Sequence, residues 1–271
     1  MSLRLAVSGA TGRMGHTLLE LASKDPAFEI VGALENPSHP SIGRLLQEVL
    51  PSISSKAKLE PVLPMISPKP QVLIDFTQPQ GTMGYLKEAA TLGIGMVIGT
   101  TGLTDEEKNR VKEAAQNIPI VLSTNMSVGM NLLFALVEEA AAKLGTGFDV
   151  EIVEAHHHFK KDAPSGSALS LGESVARAWK VNLKDVSTHG REGLVGARKQ
   201  GTIGFHALRG GDIVGDHTVL FAGQGERLEL THRAQSRDCL AQGALKAAIF
   251  IAGKKNGLYD MWDVLGLRTD K

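Results

Sequence analysis

The first thirty-five residues constrain the fold more than any other stretch. A short β-rich run, Leu3–Val7, leads into Gly9-Ala10-Thr11-Gly12-Arg13-Met14-Gly15 and then into a helical pattern from His16. A strand passing through spaced glycines into a helix is the opening of a dinucleotide-binding βαβ unit. The glycines allow a tight turn, close approach of backbone to a pyrophosphate, and close helix–strand packing. G-x-x-G-x-x-G is a variant of the usual spacing and is weak by itself. Its context is stronger: Glu35 stands twenty residues beyond Gly15, at the end of the next β-rich run. A carboxylate there can accept hydrogen bonds from a ribose 2′-hydroxyl.

The alternation continues. Phe28–Leu34, Val72–Phe76, Ile94–Ile98 and Ile118–Leu122 are short and β-rich, with helical patterns between several of them. Thr104-Asp-Glu-Glu107 reads as a capping box opening a helix that runs to about Asn117. Such alternation predicts an α/β, Rossmann-type doubly wound parallel sheet. The stretch Ser52–Pro70 holds four prolines in its last ten residues and reads as an irregular surface connection.

The second half has another rhythm. A long helix is expected over Ser127–Leu144, a strand over Phe148–Ala155, and a helix from Ser165 to about Lys180. Strand-like runs follow at Thr202–Leu208, Ile213–Phe221 and Arg227–His232, with Arg209-Gly-Gly-Asp212 as a hairpin-type turn between the first two. This is an α+β substrate module with a mixed or antiparallel sheet. The expected division is 1–126 plus 237–271 for the dinucleotide domain and 127–236 for the substrate domain. The final helix, Ser236–Lys255, returns to the first domain with no sixth strand beside it.

Composition excludes several classes. Lys plus Arg equals Asp plus Glu, 29 each, so no global charge draws the chain to nucleic acid or an anionic membrane. The single cysteine, Cys239, rules out an internal disulfide, and its apolar helical context predicts a buried thiol. The N-terminus lacks the apolar region of a signal peptide. Ala244–Ala252 is interrupted by Lys246 and too short to span a bilayer. A soluble cytoplasmic protein is expected.

Two further segments sit where doubly wound sheets bind ligands, at carboxyl ends of parallel strands. They are Gly99-Thr100-Thr101-Gly102 and Ser123-Thr124-Asn125-Met126. Either alone fits an ordinary βα loop; with Gly9–Met14 and Glu35 they outline a cofactor groove. Glu35 would repel a 2′-phosphate, by roughly 1 kcal/mol at 4 Å in water and about 4 kcal/mol at an effective dielectric near 20. Asn36 does not offset it, and Arg13 is the nearest cation of the fingerprint. NADH is therefore favoured, with NADPH as a second cofactor.

The loop Ala155–Ala168 gathers His156-His157-His158, Lys160-Lys161 and Pro164-Ser165-Gly166-Ser167. Imidazoles move protons near neutral pH. Lysines and the N–H groups of a helix start attract carboxylates. Adjacent side chains on an extended segment point to opposite faces, so three consecutive histidines do not converge on a metal. No cysteine partner or H-E-x-x-H spacing is present, so no metal is expected. His158 and Lys161 read as loop and surface residues. The rest read as a proton-handling site for a small anion.

Residues Glu151–Ala168, EIVEAHHHFKKDAPSGSA, resemble the E-x-x-E-x-H-H-x-x-K-x-D-x-P-S-G-[ST]-A signature of the 4-hydroxy-tetrahydrodipicolinate reductase (dihydrodipicolinate reductase) family. The resemblance extends to Gly9–Gly15, Asp75-Phe76-Thr77, Gly99–Gly102, Asn125–Gly129, Gly201–Phe205, Arg209–His217 and Gly257–Met261. It implies an NAD(P)H-dependent reductase of lysine and diaminopimelate biosynthesis acting on a cyclic dicarboxylate, and a homotetramer. By resemblance His156 is the proton donor and acceptor, Lys160 a second donor that also holds substrate, and His157 a carboxylate ligand. Ser165, Gly166 and Ser167 would bind the other anionic end. Gly9–Met14, Glu35, Gly99–Thr101 and Ser123–Met126 would line the cofactor. Two positions depart from some members: His158-Phe159 replaces Arg-His, and Asn36 replaces Arg. From the residues alone, a dehydrogenase of an amino or keto acid and a non-catalytic dinucleotide sensor also fit.

Overall fold

In the computed structural model residues 2–268 are described. Met1 and residues 269–271, the two ends of the expected dinucleotide domain, lie outside the described residues. The chain forms two compact units, residues 1–128 with 237–271, and residues 129–236.

The first unit begins β1 (Leu3–Ser8), α1 (Arg13–Lys24), β2 (Phe28–Leu34), α2 (Leu46–Val49) and β3 (Leu59–Glu60). It continues through β4 (Val72–Asp75), α3 (Pro79–Leu92), β5 (Gly95–Ile98), α4 (Asp105–Ala114) and β6 (Pro119–Leu122). These strands and a seventh from the C-terminal part, β12 (Gly257–Tyr259), form one sheet in the order β12-β6-β5-β4-β1-β2-β3, all pairs parallel. The order reverses between β1 and β4, which is where such sheets bind ligands. Alternate residues of each strand face opposite ways. Leu5, Val7, Ile74, Val97 and Val121 bury against α1 and the C-terminal helix, while Ala6, Leu73, Met96, Ile98 and Ile120 bury against Leu86 and Ala89 of α3 and Val111 of α4. Burial on both faces explains why these strands read as continuous apolar runs. The Thr104–Glu107 capping box is present in full.

In the second unit, α5 (Val128–Leu144) leads to β7 (Asp149–His156), α6 (Gly166–Trp179), α7 (Leu183–Val186) and β8 (Ser187–His189). Then come β9 (Ile203–Arg209), β10 (Gly215–Ala222) and β11 (Arg227–Ala234). Their sheet has the order 11-10-7-9-8 and is mixed: β9 pairs parallel to β7, and β10 antiparallel to it. The chain then returns to the first unit as α8 (Asp238–Ile251), β12 (Gly257–Tyr259) and α9 (Met261–Leu265).

Four sequence expectations are corrected. Arg209–Asp212 is not a hairpin turn, because β7 lies between β9 and β10. The segment instead arches over the end of β7, with Gly210 N–H donating to His156 O (2.9 Å) and His157 N–H to Ile213 O (2.8 Å). Ser52–Pro70 is not a bare surface connection. Ile53, Leu59, Leu63 and Ile66 are buried, and β3 pairs with β2, because the prolines cut the segment short without removing its apolar anchors. A further strand does accompany the last helix: β12 pairs with β6, and at three residues it carries too little periodicity to be read. Cys239 is partly exposed on α8 rather than buried.

Candidate active site

At the end of β1, Gly9 adopts φ +63°, a region glycine enters without steric cost. A side chain on Gly15 would collide with the Gly9 carbonyl and the Ala10 backbone, so α1 packs tightly on the strand. Gly12 caps α1 without a side chain. The start of this twelve-residue helix is thus open to an anion. Across from it, Glu35 Oε2 accepts from Thr11 N–H (3.1 Å) and Thr11 hydroxyl (2.7 Å), and Oε1 accepts from Asn36 N–H (3.0 Å). Burial pushes the Glu35 carboxyl up, but the bonds from Asn36 and Thr11 outweigh it and hold it below the usual value. It is ionised at neutral pH.

A groove of about 830 Å³ runs along these groups, lined by Gly9, Thr11, Gly12, Arg13, Met14 and Glu35. Ala10 is buried beneath it. Phe76, Thr77, Gln80, Tyr85 and Arg237 also line it, and none of these was singled out as a site residue from sequence. Burial, reinforced by the charges of Asp75 and Glu35, pushes the Tyr85 phenol up to about 12, so it keeps its proton as a donor.

The loops after β5 and β6 lie outside this lining. Thr100 turns its hydroxyl inward toward Asp75 Oδ2 (3.3 Å), while Gly99 N–H donates to Asp75 O (2.8 Å) and Thr101 is exposed. Asp75, fully buried at the end of β4, also accepts from the hydroxyls of Ser8 (2.5 Å), Thr77 (2.7 Å) and Thr82 (2.5 Å). This ties β1, β4, α3 and the 99–101 loop together. An Asp closing the apolar run Val-Leu-Ile was the available signal. Ser123 hydroxyl donates to Asn125 O (2.8 Å), Asn125 Oδ1 accepts from Ser127 N–H (2.9 Å), Thr124 is exposed, and the Met126 side chain belongs to the core.

In the second unit, β7 points alternate side chains to one face, which places Glu154 and His156 together. Glu154 is 1% exposed. Its Oε2 accepts from His156 Nδ1 (2.6 Å) and Arg209 Nη1 (2.7 Å), and its Oε1 from Arg209 Nη2 (2.8 Å) and Ser165 N–H (3.1 Å). Burial raises the Glu154 carboxyl, and Arg209 and His156 more than reverse this, so it stays ionised. Burial pulls His156 below its ordinary value, with Glu154 opposing the drop. His217 stands edge-on to His156, ring centres 5.1 Å apart, and its Nε2 lies 2.9 Å from Ser165 Oγ. Burial and the neighbouring His156 bring His217 down to about 4, so it is neutral.

Lys160 is mostly buried, with Nζ 2.9 Å from Asp162 Oδ1. His157 is half-buried, and its Nδ1 is buried without a hydrogen-bond partner. Ser165 Oγ caps α6 by accepting from Ala168 N–H (3.2 Å), while Gly166 and Ser167 form its first turn. His158 and Lys161 are exposed. Glu154, Arg209 and His217 carried no role in the sequence reading. The signal for Glu154 was its position two residues before His156 on a strand.

A doubly wound dinucleotide unit, with a second unit that presents a buried imidazole on an ionised carboxylate, defines a two-domain NAD(P)H-dependent oxidoreductase. Residues 3–126 match the family profile "Dihydrodipicolinate reductase, N-terminus" and residues 129–265 match "Dihydrodipicolinate reductase, C-terminus". The chain belongs to the dihydrodipicolinate reductase family. It is 50% identical over 269 residues to the 4-hydroxy-tetrahydrodipicolinate reductase of Nitrosomonas europaea, covering 98% of this chain and 99% of that one. It is 50% identical over 273 residues to the protein of the same name from Aromatoleum aromaticum, covering 99% and 97%. Among solved structures it resembles a dipicolinate-bound dihydrodipicolinate reductase from Paenisporosarcina sp. TG-14, with TM-score 0.75, 25% identity, and 97% and 99% coverage. Among the described residues no helix is long and apolar enough to cross a membrane.

Proposed function

We propose that the chain reduces 4-hydroxy-tetrahydrodipicolinate to tetrahydrodipicolinate with NAD(P)H, as a cytoplasmic enzyme of lysine and diaminopimelate biosynthesis. The observation that carries the chemistry is His156, buried and bonded to ionised Glu154 beside Lys160 and the start of α6. The first unit fits the cofactor: the Gly9–Gly15 turn and the open start of α1 would meet its pyrophosphate, and the Glu35 carboxylate its ribose. Gly9–Met14 and Glu35 would hold it, with the 99–101 and 123–126 loops toward its nicotinamide end. When bound, NAD(P)H supplies hydride to carbon 4 of the ring once the hydroxyl has left as water.

Residues of the second unit do the rest. His156 donates its proton to the ring carbon next to the one reduced. Lys160 and His157 take one substrate carboxylate, with Lys160 exchanging Asp162 for it. Gly166 and Ser167, in the first turn of α6, receive the other carboxylate on their N–H groups. Ser165 acts through the cap and the His217 contact. NADH is the favoured cofactor because Glu35 carries its charge where a 2′-phosphate would sit and Asn36 is neutral.

The second unit also serves oligomerisation into a homotetramer. Leu208 on the open sheet face and Leu194–Val195 in the 190–202 segment are exposed apolar groups that self-association would cover. Sedimentation at micromolar concentration checks this. For the activity, NADH absorbance is followed with the condensation product of aspartate semialdehyde and pyruvate. Decay with that mixture is expected. Decay with keto acids alone, or none with the mixture, would remove the substrate assignment.

A further inference from the structure

We infer that Glu154, paired with Arg209, is the positioning residue that lets His156 act as an acid: it takes the Nδ1–H bond, so that the protonated ring carries its second, transferable proton on Nε2. The inference rests on the reading of His156 as the proton donor. Its basis is the donor set around one carboxylate. All four contacts to Glu154 reach nitrogen, and three of them are N–H groups that can only donate: two from Arg209 and one from Ser165. A carboxylate so surrounded only accepts, so the fourth contact, His156 Nδ1 at 2.6 Å, must bring the proton. Nε2 then faces Gly215, where a side-chain carbon would come within 3.1 Å; the glycine leaves that nitrogen room. Through Ser165 N–H the same carboxylate ties the ring to the start of α6, the proposed carboxylate cradle.

The charged and titratable groups facing His156 come from four elements. Glu154 lies on its own strand and Arg209 on β9. Lys160 and Asp162 come from the loop, and His217 from β10. His217 stays neutral, so it contributes no second titration at neutral pH. Glu154 opposes the downward pull of burial on His156. Removing its charge must therefore lower the pKa of the acid. The limb on which kcat falls with rising pH must then move to lower pH.

The test compares kcat–pH profiles of wild type, Glu154→Gln, Glu154→Asp, His156→Asn and the Glu154→Gln/His156→Asn double variant, with NADH affinity and melting measured for each. Glu154→Gln should lose about 10- to 100-fold in kcat at pH 7. Its basic limb should move down by about one pH unit, and NADH affinity should change less than about threefold. Glu154→Asp should recover part of the rate, and the double variant should be no slower than His156→Asn. A rate loss with an unmoved limb, or additive losses in the double variant, would overturn the inference. Full turnover by His156→Asn would instead remove His156 as the donor, and this inference with it. If Glu154→Gln does not fold, the ring nitrogen shifts of wild-type His156 at a pH where the ring is neutral decide: a proton kept on Nδ1 supports the inference, and one kept on Nε2 ends it.

Discussion

Strand β7 carries two glutamates, and its two faces have built nearly the same cluster around each. Glu154 is gripped by both Nη atoms of Arg209 and touches His156; Glu151 is gripped by both Nη atoms of Arg191, by Arg198 Nε (2.8 Å), and touches His206 (2.7 Å). The difference is burial and what stands next. Glu154 is 1% exposed and its histidine adjoins Lys160 and the start of α6. Glu151 is 19% exposed, and its arginines come from the 190–202 segment. Arg198 goes on to Asp149, Val150 O and Thr202 O, so this cluster fastens a long segment to the sheet. A carboxylate–histidine contact is therefore no sign of catalysis by itself. The histidine must also face a place where a substrate charge can be met.

The sharpest way to break that comparison is to remove each histidine in turn. His156→Ala should lower kcat by about 10²-fold or more, the usual scale for a lost acid, with NADH binding near wild type. His206→Ala should stay within about twofold. Steady-state kinetics with a separate cofactor titration checks both, and equal losses would erase the distinction between the faces. Next in size, Lys160→Ala should cost about tenfold in kcat and raise KM about tenfold, the pattern expected of the proposed role, in which it neutralises and positions a carboxylate. An effect on neither constant takes Lys160 out of the site.

The two clusters also show what a sequence displays. The Rossmann-type sheet was legible because its strands are apolar on both faces, and turns and caps such as Gly9–Gly15 and Thr104–Glu107 punctuate them. β3 and β12 were not, being two and three residues long. The Arg209–Asp212 turn was misread because hairpin chemistry says nothing of a strand inserted from fifty residues earlier. In the candidate site, one contiguous stretch holds His156, Lys160 and Ser165–Ser167, so the sequence itself sets these residues side by side. Arg209 and His217 come from β9 and β10, and only the pairing register of those strands with β7 brings them to Glu154 and His156. On the other face, Arg191 and Arg198 come from the connection between β8 and β9, which has no periodicity to show that it folds back on Glu151.

The structural face has its own signature in pH. Burial works against ionisation of Glu151, but Arg191, Arg198 and His206 override it and bring the carboxyl down to about 2. A lowered carboxylate stabilises the fold fully above its unfolded value, near 4.5, and loses that contribution as pH falls through about 2. Glu151→Gln should then melt about 3 °C lower than wild type at pH 7, a loss on the order of 1 kcal/mol, with kcat unchanged. The gap should narrow steadily from pH 4.5 to pH 2 in calorimetric melts. A gap that stays constant with pH would mean Glu151 acts by packing; a fall in kcat would make this face part of the site.

Glu35 offers the smallest and most selective test, because it is the same acceptor without an arginine. It accepts from Thr11 N–H and hydroxyl and from Asn36 N–H, all neutral donors, beside the groove. Asn36→Arg supplies a guanidinium at the adjoining position while keeping the backbone N–H that Glu35 accepts. An added unit charge at about 4 Å is worth roughly 1 kcal/mol in water and about 4 kcal/mol at an effective dielectric near 20. At the groove's open edge the lower figure governs, so the NADPH/NADH ratio of kcat/KM should rise about fivefold. The gain should shrink between 20 mM and about 0.5 M salt, since exposed charges are screened. A ratio unmoved by the substitution would show that Glu35 does not set cofactor choice by charge. A gain indifferent to salt would point to the shape of the guanidinium rather than its sign.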